Sequence, residues 1–284
     1  MKHLIVVFVL LLNVDSLLAQ NIESLYECIY EYTVSSQDEN NKQYKDVGYC
    51  MLQIGTGIGK FYDYSSYQTD SVKQTDCTDK IISAYKLREQ RNVFFFDQTV
   101  YQNNPKGKIT VQSVITPNFY NYEENRYPVK WIMEEGEDSI CGYTCRIAKG
   151  EYGGRTWIVK YAPEIPTQNG PWKLTGLPGL ILDATDSEGI HHFNAVVFRS
   201  SSVDITPLNN KGSITTSREK FIHTKNEFEK NPIGNIPPES IGEMEIRKHS
   251  DNPSESTILI NGIQLRMRRP LISHWRTNND NYTI

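Results

Sequence analysis

The sequence predicts a mainly β fold: an antiparallel curved sheet or half-barrel meander with one C-terminal helix packed on it. Three observations carry this. Short segments with period-two alternation, rich in aromatic and β-branched residues, recur along most of the chain. The breaks between them are too short for parallel crossovers, so neighbours pair antiparallel. Only one late stretch, near residues 217–230, carries a capped apolar stripe of helical period.

In chain order, Tyr26 to Val34 is the first strand, reading Tyr-Glu-Cys-Ile-Tyr-Glu-Tyr-Thr-Val. A polar loop, 35–45, leads to a second strand over 47–54. Gly55-Thr56-Gly57-Ile58-Gly59 lacks the Lys-Ser/Thr ending of a phosphate loop and reads as a turn. Lys60 to Tyr64 begins another extended piece. Residues 65–91 are polar and mixed, with a weak helical pattern over 78–91. Asn92 to Asp97 reads as an apolar strand, and 108–111, 119–123 and 129–133 follow as further strands. Tyr143 to Ala148 and Thr156 to Ala162 form a hairpin about the glycines at 150, 153 and 154.

The chain is organised around residues 170–184, Gly-Pro-Trp-Lys-Leu-Thr-Gly-Leu-Pro-Gly-Leu-Ile-Leu-Asp-Ala. Leu177-Pro178-Gly179-Leu180 fits a type II turn, with proline presetting the first central φ and glycine accepting a positive φ at the second. Leu180 to Ala184 is then a short buried strand. Residues 186–189 are a hairpin loop, and 190–198 the return strand, with His191, Phe193, Ala195 and Val197 on one face. Thr216 with Glu219 makes a capping box for a helix over 217–230 that stops at Asn231-Pro232. Its stripe is Phe221, Ile222 and Phe228. Residues 231–256 read as a flexible segment, 256–267 as a final strand, and Arg266, Arg268 and Arg269 as a solvated basic cluster.

Gly176, Leu177, Pro178, Gly179, Leu180 and Ile181 spell the signature of the GLPGLI family of exported Gram-negative envelope proteins, which this chain resembles. The flanking Gly142-Tyr143-Thr144-Cys145, Gly154-Arg155-Thr156-Trp157, Tyr161, Glu164-Ile165-Pro166 and Gly170-Pro171-Trp172-Lys173 agree with it. The likeness covers residues 20–265 in layout and is most specific over 141–193. It implies a secreted, β-rich protein; the family carries no established activity, so no reaction is implied.

Composition and the N-terminus support an exported address. Lys2 and His3 precede an apolar run, Leu4 to Leu12, and Ala19 offers a small residue before a cut at Ala19/Gln20. That run is too short to span a bilayer, and no cysteine at the cut marks a lipoprotein. Residues 1–19 are therefore expected as a signal peptide, 20–270 as one β-rich domain and 271–284 as a flexible tail, with no membrane-spanning segment in the mature chain. The 284 residues include 17 Tyr and 10 Phe, enough aromatic surface for a sizeable core. With 30 basic and 34 acidic residues the net charge is −4, which argues against a general nucleic-acid binder. Five cysteines, at 28, 50, 77, 141 and 145, leave at least one unpaired within the chain. Cys28, Cys50 and Cys77 are candidates for a pair. Cys141 and Cys145 would lie about 13 Å apart on one extended strand, too far to bond, though a bend could bring them together.

Nothing marks a catalytic set. Asp183, Asp186, Glu188, His191 and His192 cluster in sequence, yet a hairpin sends the two histidines to opposite faces, so they cannot ligate one ion. No Gly-x-Ser-x-Gly and no Cys-x-x-Cys occurs. Neither metal nor cofactor is expected. Arg155, Trp157, Tyr161 and Trp172 are candidate ligand-binding residues, being types that dominate binding surfaces; they are equally ordinary core residues. The expectation is an exported periplasmic or outer-envelope protein, non-enzymatic, that binds an apolar or peptide ligand or a membrane-protein partner. The alternative is a hydrolase whose site is assembled from scattered residues. A binding protein should show an open apolar concavity lined by Trp157, Tyr161 and Trp172; an enzyme should show titratable groups converging in a pocket.

Overall fold

The computed structural model describes residues 22–37, 43–73, 96–115, 118–126, 129–208, 210–231, 244–248, 256–260 and 263–265. The expected signal peptide at 1–19, the 78–91 pattern, Cys77, the basic cluster at 266–269 and the expected tail at 271–284 lie outside these residues.

One large sheet dominates, built from two antiparallel meanders. The first comprises β1 (Ile22–Gln37), β2 (Gln43–Gly55), β3 (Ile58–Asp63), β4 (Gln98–Gln102), β5 (Lys108–Ile115) and β6 (Asn118–Asn125). The second comprises β7 (Ile132–Ile140), β8 (Tyr143–Tyr152), β9 (Arg155–Ala162), β10 (Leu180–Asp186) and β11 (His191–Ser200). They join through an antiparallel β1–β11 pair. A two-residue β12 (Asp204–Ile205) pairs beside β1, and β13 (Ser213–Thr216) adds to β6 in parallel, the one parallel pair of this sheet among the described residues. The sheet therefore runs from β13 at one edge to β7 at the other without closing into a barrel.

Curvature follows from what the strands share. The Trp172 side chain meets both Gln98 of β4, at 3.2 Å, and Trp157 of β9, ring centroids 6.3 Å apart, although β4 and β9 lie six strands apart in the sheet order. Only a sheet folded toward itself brings them together. The alternating pattern places Cys28, Tyr30, Tyr32 and Val34 of β1, and Leu52 and Ile54 of β2, on the concave face. Tyr32 stacks on Phe193, ring centroids 4.3 Å apart. His191, Phe193 and Ala195 lie on this face as expected, but Val197 does not. A bulge opposite Ile29–Tyr30 pairs Tyr30 with Ala195 and Ile29 with Val197, and that extra residue leaves Val197 exposed.

Two helices lie among the described residues. The first, α1 (Tyr64–Lys73), was not expected from its polar sequence. Asp63 caps it, accepting the Ser65 backbone N–H at 2.8 Å. It lies against the convex face, where the Tyr67 hydroxyl donates to the buried Glu27 carboxylate (3.0 Å), which Arg199 also grips from Nε and Nη2 at 3.0 and 2.8 Å. The second, α2 (Arg218–Lys230), is the expected C-terminal helix, and Phe221 packs it onto Tyr122 of β6 (5.2 Å). Its cap is Ser217, whose hydroxyl accepts from the Lys220 N–H, so the capping box on Thr216 and Glu219 does not form.

Three further differences concern strands. Of the strand expected over 92–97, residues 92–95 lie outside the described residues; 96–97 carry no regular structure, and β4 begins at Gln98. The strand expected at 129–133 starts at Ile132. In the C-terminal region β14 (Met244–Lys248) falls in the stretch read as flexible, and the expected final strand is a hairpin of β15 (Ser256–Ile260) and β16 (Ile263–Leu265); the three form a second sheet. No helix among the described residues is long and apolar enough to cross a membrane.

Candidate functional site

The loop from β9 to β10, residues 163–179, fills the concave face of the sheet. Pro171, Trp172, Lys173, Leu174, Thr175 and Leu177 are all buried. Burying each large apolar side chain there is worth roughly 1.5–3 kcal/mol. The half-barrel is thus occupied by its own chain.

Polar bonds hold this plug to distant strands. Gln102 of β4 is fully buried, and its side-chain amide donates to the Gly170 and Trp172 carbonyls at 2.8 and 2.5 Å. Its Oε1 accepts from Asn169 at 2.7 Å. The Trp131 indole donates to the Thr175 carbonyl at 3.0 Å, and the Tyr30 hydroxyl to the Ile181 carbonyl at 2.6 Å. Trp172 sits at φ 52°, a left-handed conformation that is strained for a bulky residue. Its indole N–H bonds to Gln98 at 3.2 Å, and its ring meets Tyr152 edge-on at 5.4 Å.

Lys173 places a buried ammonium inside this core. It bonds to Glu124 and to the Tyr122 hydroxyl, and stands 5.3 Å from the ring centroids of both Tyr122 and Trp172. Burial opposes its charge, but Tyr122, Glu124 and Tyr152 outweigh that and hold it above the usual lysine range. Arg218 of α2 grips the other oxygen of Glu124 at 3.3 Å, tying the helix to the plug.

At the Gly-Leu-Pro-Gly corner the structure replaces the expected type II turn. The Gly179 N–H bonds to the Leu177 carbonyl at 2.9 Å, a three-residue turn centred on Pro178. Gly179 is required here by close approach: a Cβ on it would stand 2.3 Å from the Ala162 carbonyl oxygen. Gly170 is similar, with the Leu174 carbonyl oxygen 2.6 Å from where its Cβ would be. Gly176, Leu177, Pro178, Gly179, Leu180 and Ile181 together therefore form the corner through which the plug re-enters the sheet.

The four candidate ligand residues fall into the interior. Trp157, Tyr161 and Trp172 belong to the core cluster, at most 5% exposed, and do not line an open concavity. Loop 163–179 occupies the space such a concavity would need. Arg155 is largely buried too and ion-pairs with Asp186 at 2.5 Å and Glu188 at 3.1 Å. Asp186 also accepts the Ile190 and His191 N–H groups, which closes the hairpin turn. His191 is buried against the Tyr32 hydroxyl (2.9 Å), whereas His192 meets Asp183 at 2.7 Å on the other face. The two histidines thus part as the hairpin requires, and no three metal-ligating side chains gather among the described residues. Cys28, Cys50, Cys141 and Cys145 are free thiols. Burial pushes the Cys145 thiol up to about 11, a poor nucleophile.

A cleft of about 420 Å³ opens beside the first residues of the plug. Its walls come from residues 25–26 of β1, the β2–β3 turn at 54–57, Asn103, residues 166–169 and Arg126. Leu25, Tyr26 and Ile54 supply an apolar side. Arg126 is the one charged residue in the lining. Its backbone N–H is fixed on the Gly107 carbonyl at 3.0 Å, and its Nε donates to Thr175 at 3.3 Å. No carboxylate among the described residues pairs with it, and burial alone lowers its proton affinity. Sequence reasoning missed Gln102, Lys173 and Arg126, because an isolated polar residue in an alternating strand or loop carries no periodic signal.

No protein-family model matches the chain, and no curated protein does. Among solved structures it is similar to PNGF-II in space groups P21 and C2, at 12% and 14% identity, over 72% of this chain, with TM-scores of 0.48 and 0.44. The chain spans about a third of the length of those solved chains (33% and 32%).

Proposed function

We propose that the protein is an exported, non-enzymatic binding or accessory protein of a Gram-negative outer envelope, which recognises a peptide or apolar ligand or a membrane-protein partner. The proposed address is supported by the signal-like pattern of residues 1–19 and by the resemblance to the GLPGLI family. The observation that carries the binding reading is the make-up of the cleft. Its lining offers one arginine, amides, hydroxyls and apolar side chains, and no carboxylate, histidine or cysteine. Such a set, apolar surface with a few convergent polar groups, suits recognition of a ligand. Because loop 163–179 fills the concave face, recognition falls on the cleft and the outer surface.

The test is native mass spectrometry of the mature protein recovered gently from its own envelope. A defined extra mass, or a second protein in stoichiometric amount, is the expected result. A bare monomer that turns over ester, peptide or glycoside substrates would overturn the reading.

A further inference from the structure

We infer that the cleft is a carboxylate-recognition site, in which Arg126 takes the free C-terminal carboxylate of a peptide whose last side chain is apolar. The inference rests on the reading of the protein as a binding protein and names its ligand class. Arg126 enters the cleft already oriented. Its backbone N–H is held by Gly107 and its Nε by Thr175, which leaves the terminal N–H groups of the guanidinium without a protein acceptor among the described residues. A half-buried guanidinium in that state calls for an anion, and a carboxylate matches its planar fork. The same lining carries Leu25, which is 49% exposed, and Ile54, and these give the cleft an apolar side. Gln168, exposed on the rim, adds an amide that makes no side-chain bond among the described residues.

Charge decides between the two common oxyanions. The lining has a single positive charge and the chain a net charge of −4. One guanidinium neutralises one carboxylate, whereas a phosphate dianion would be left with excess negative charge in a partly buried cleft.

The probes are acetyl-Ala-Leu-Leu as the free acid and as the C-terminal amide, titrated against the full mature protein by calorimetry. The acid is expected to bind about tenfold or more tighter than the amide, the worth of one charge-assisted pair. Arg126→Gln should abolish that preference, and Arg126→Lys should keep part of it, with both variants melting as the parent does. Equal binding of acid and amide overturns the inference, as does an unchanged preference in Arg126→Gln. Inorganic phosphate that displaces the acid as well as a free carboxylate does would make this a general anion site and also overturns it. A protein that carries a ligand or partner from its envelope yet treats acid and amide alike loses this inference and keeps the binding reading. Hydrolysis of the probe peptides removes the binding reading itself.

Discussion

At the scale of single residues, two glycines and a lysine explain why residues 170–184 tolerate little change. Gly179 has the Ala162 carbonyl oxygen 2.3 Å from where a Cβ would stand, and backbone cannot move aside as a flexible side chain can. Gly179→Ala should therefore destabilise by about 2 kcal/mol or more, read as a lowered thermal midpoint. An unchanged midpoint would contradict the close approach. Lys173 makes a prediction in pH. Its proton is held more tightly in the fold than in the unfolded chain, whose lysine value is near 10.5. Its contribution is thus fully present below that pH and fades as pH rises through the higher folded value. The urea midpoints of the parent and Lys173→Met should differ by a constant amount from pH 6 to pH 9, in the range well below ordinary lysine titration. The gap should narrow only in strong alkali, and a gap that closes near neutrality would show the ammonium is not held there.

At the scale of elements, loop 163–179 behaves as a piece of core without secondary structure. Its backbone carbonyls would be orphans in an apolar half-barrel, and Gln102 satisfies two of them. Gln102→Leu should cost about 2–6 kcal/mol, since each of the two buried carbonyls left unbonded costs about 1–3. Amides over 170–176 should then exchange faster while β1 and β11 keep their protection. The strands themselves were legible in the sequence, because a half-buried antiparallel sheet writes its burial as period-two alternation. His191, Phe193 and Ala195 were assigned to their face on that ground alone. Val197 was misassigned because a bulge shifts parity without changing composition. Helix α1 was missed because its apolar residues are sparse; Asp63 as a cap was the one available sign. Trp157, Tyr161 and Trp172 stood out as candidates for a binding face because the same residue types fill cores and interfaces. Which role they take depended on where loop 163–179 goes, and the sequence does not encode that locally.

At the scale of the whole molecule, loop 163–179 fills the concave face, so the proposed recognition site is the cleft beside that loop. Two meanders joined through β1 and β11 shape the sheet, α2 closes one side through the Arg218, Glu124 and Lys173 contacts, and the mouth is left to Arg126. Arg126 was invisible to sequence reasoning, being one arginine between Asn125 and Tyr127 with no pattern around it. The most direct test weighs two proteins side by side by native mass spectrometry, the parent and Arg126→Gln, each recovered gently from the same host cells. The parent is expected to carry a defined extra mass that fragments as a peptide with a free C-terminal carboxylate, and Arg126→Gln to be recovered folded and bare. The same extra mass on both, or none on either, would contradict the proposal.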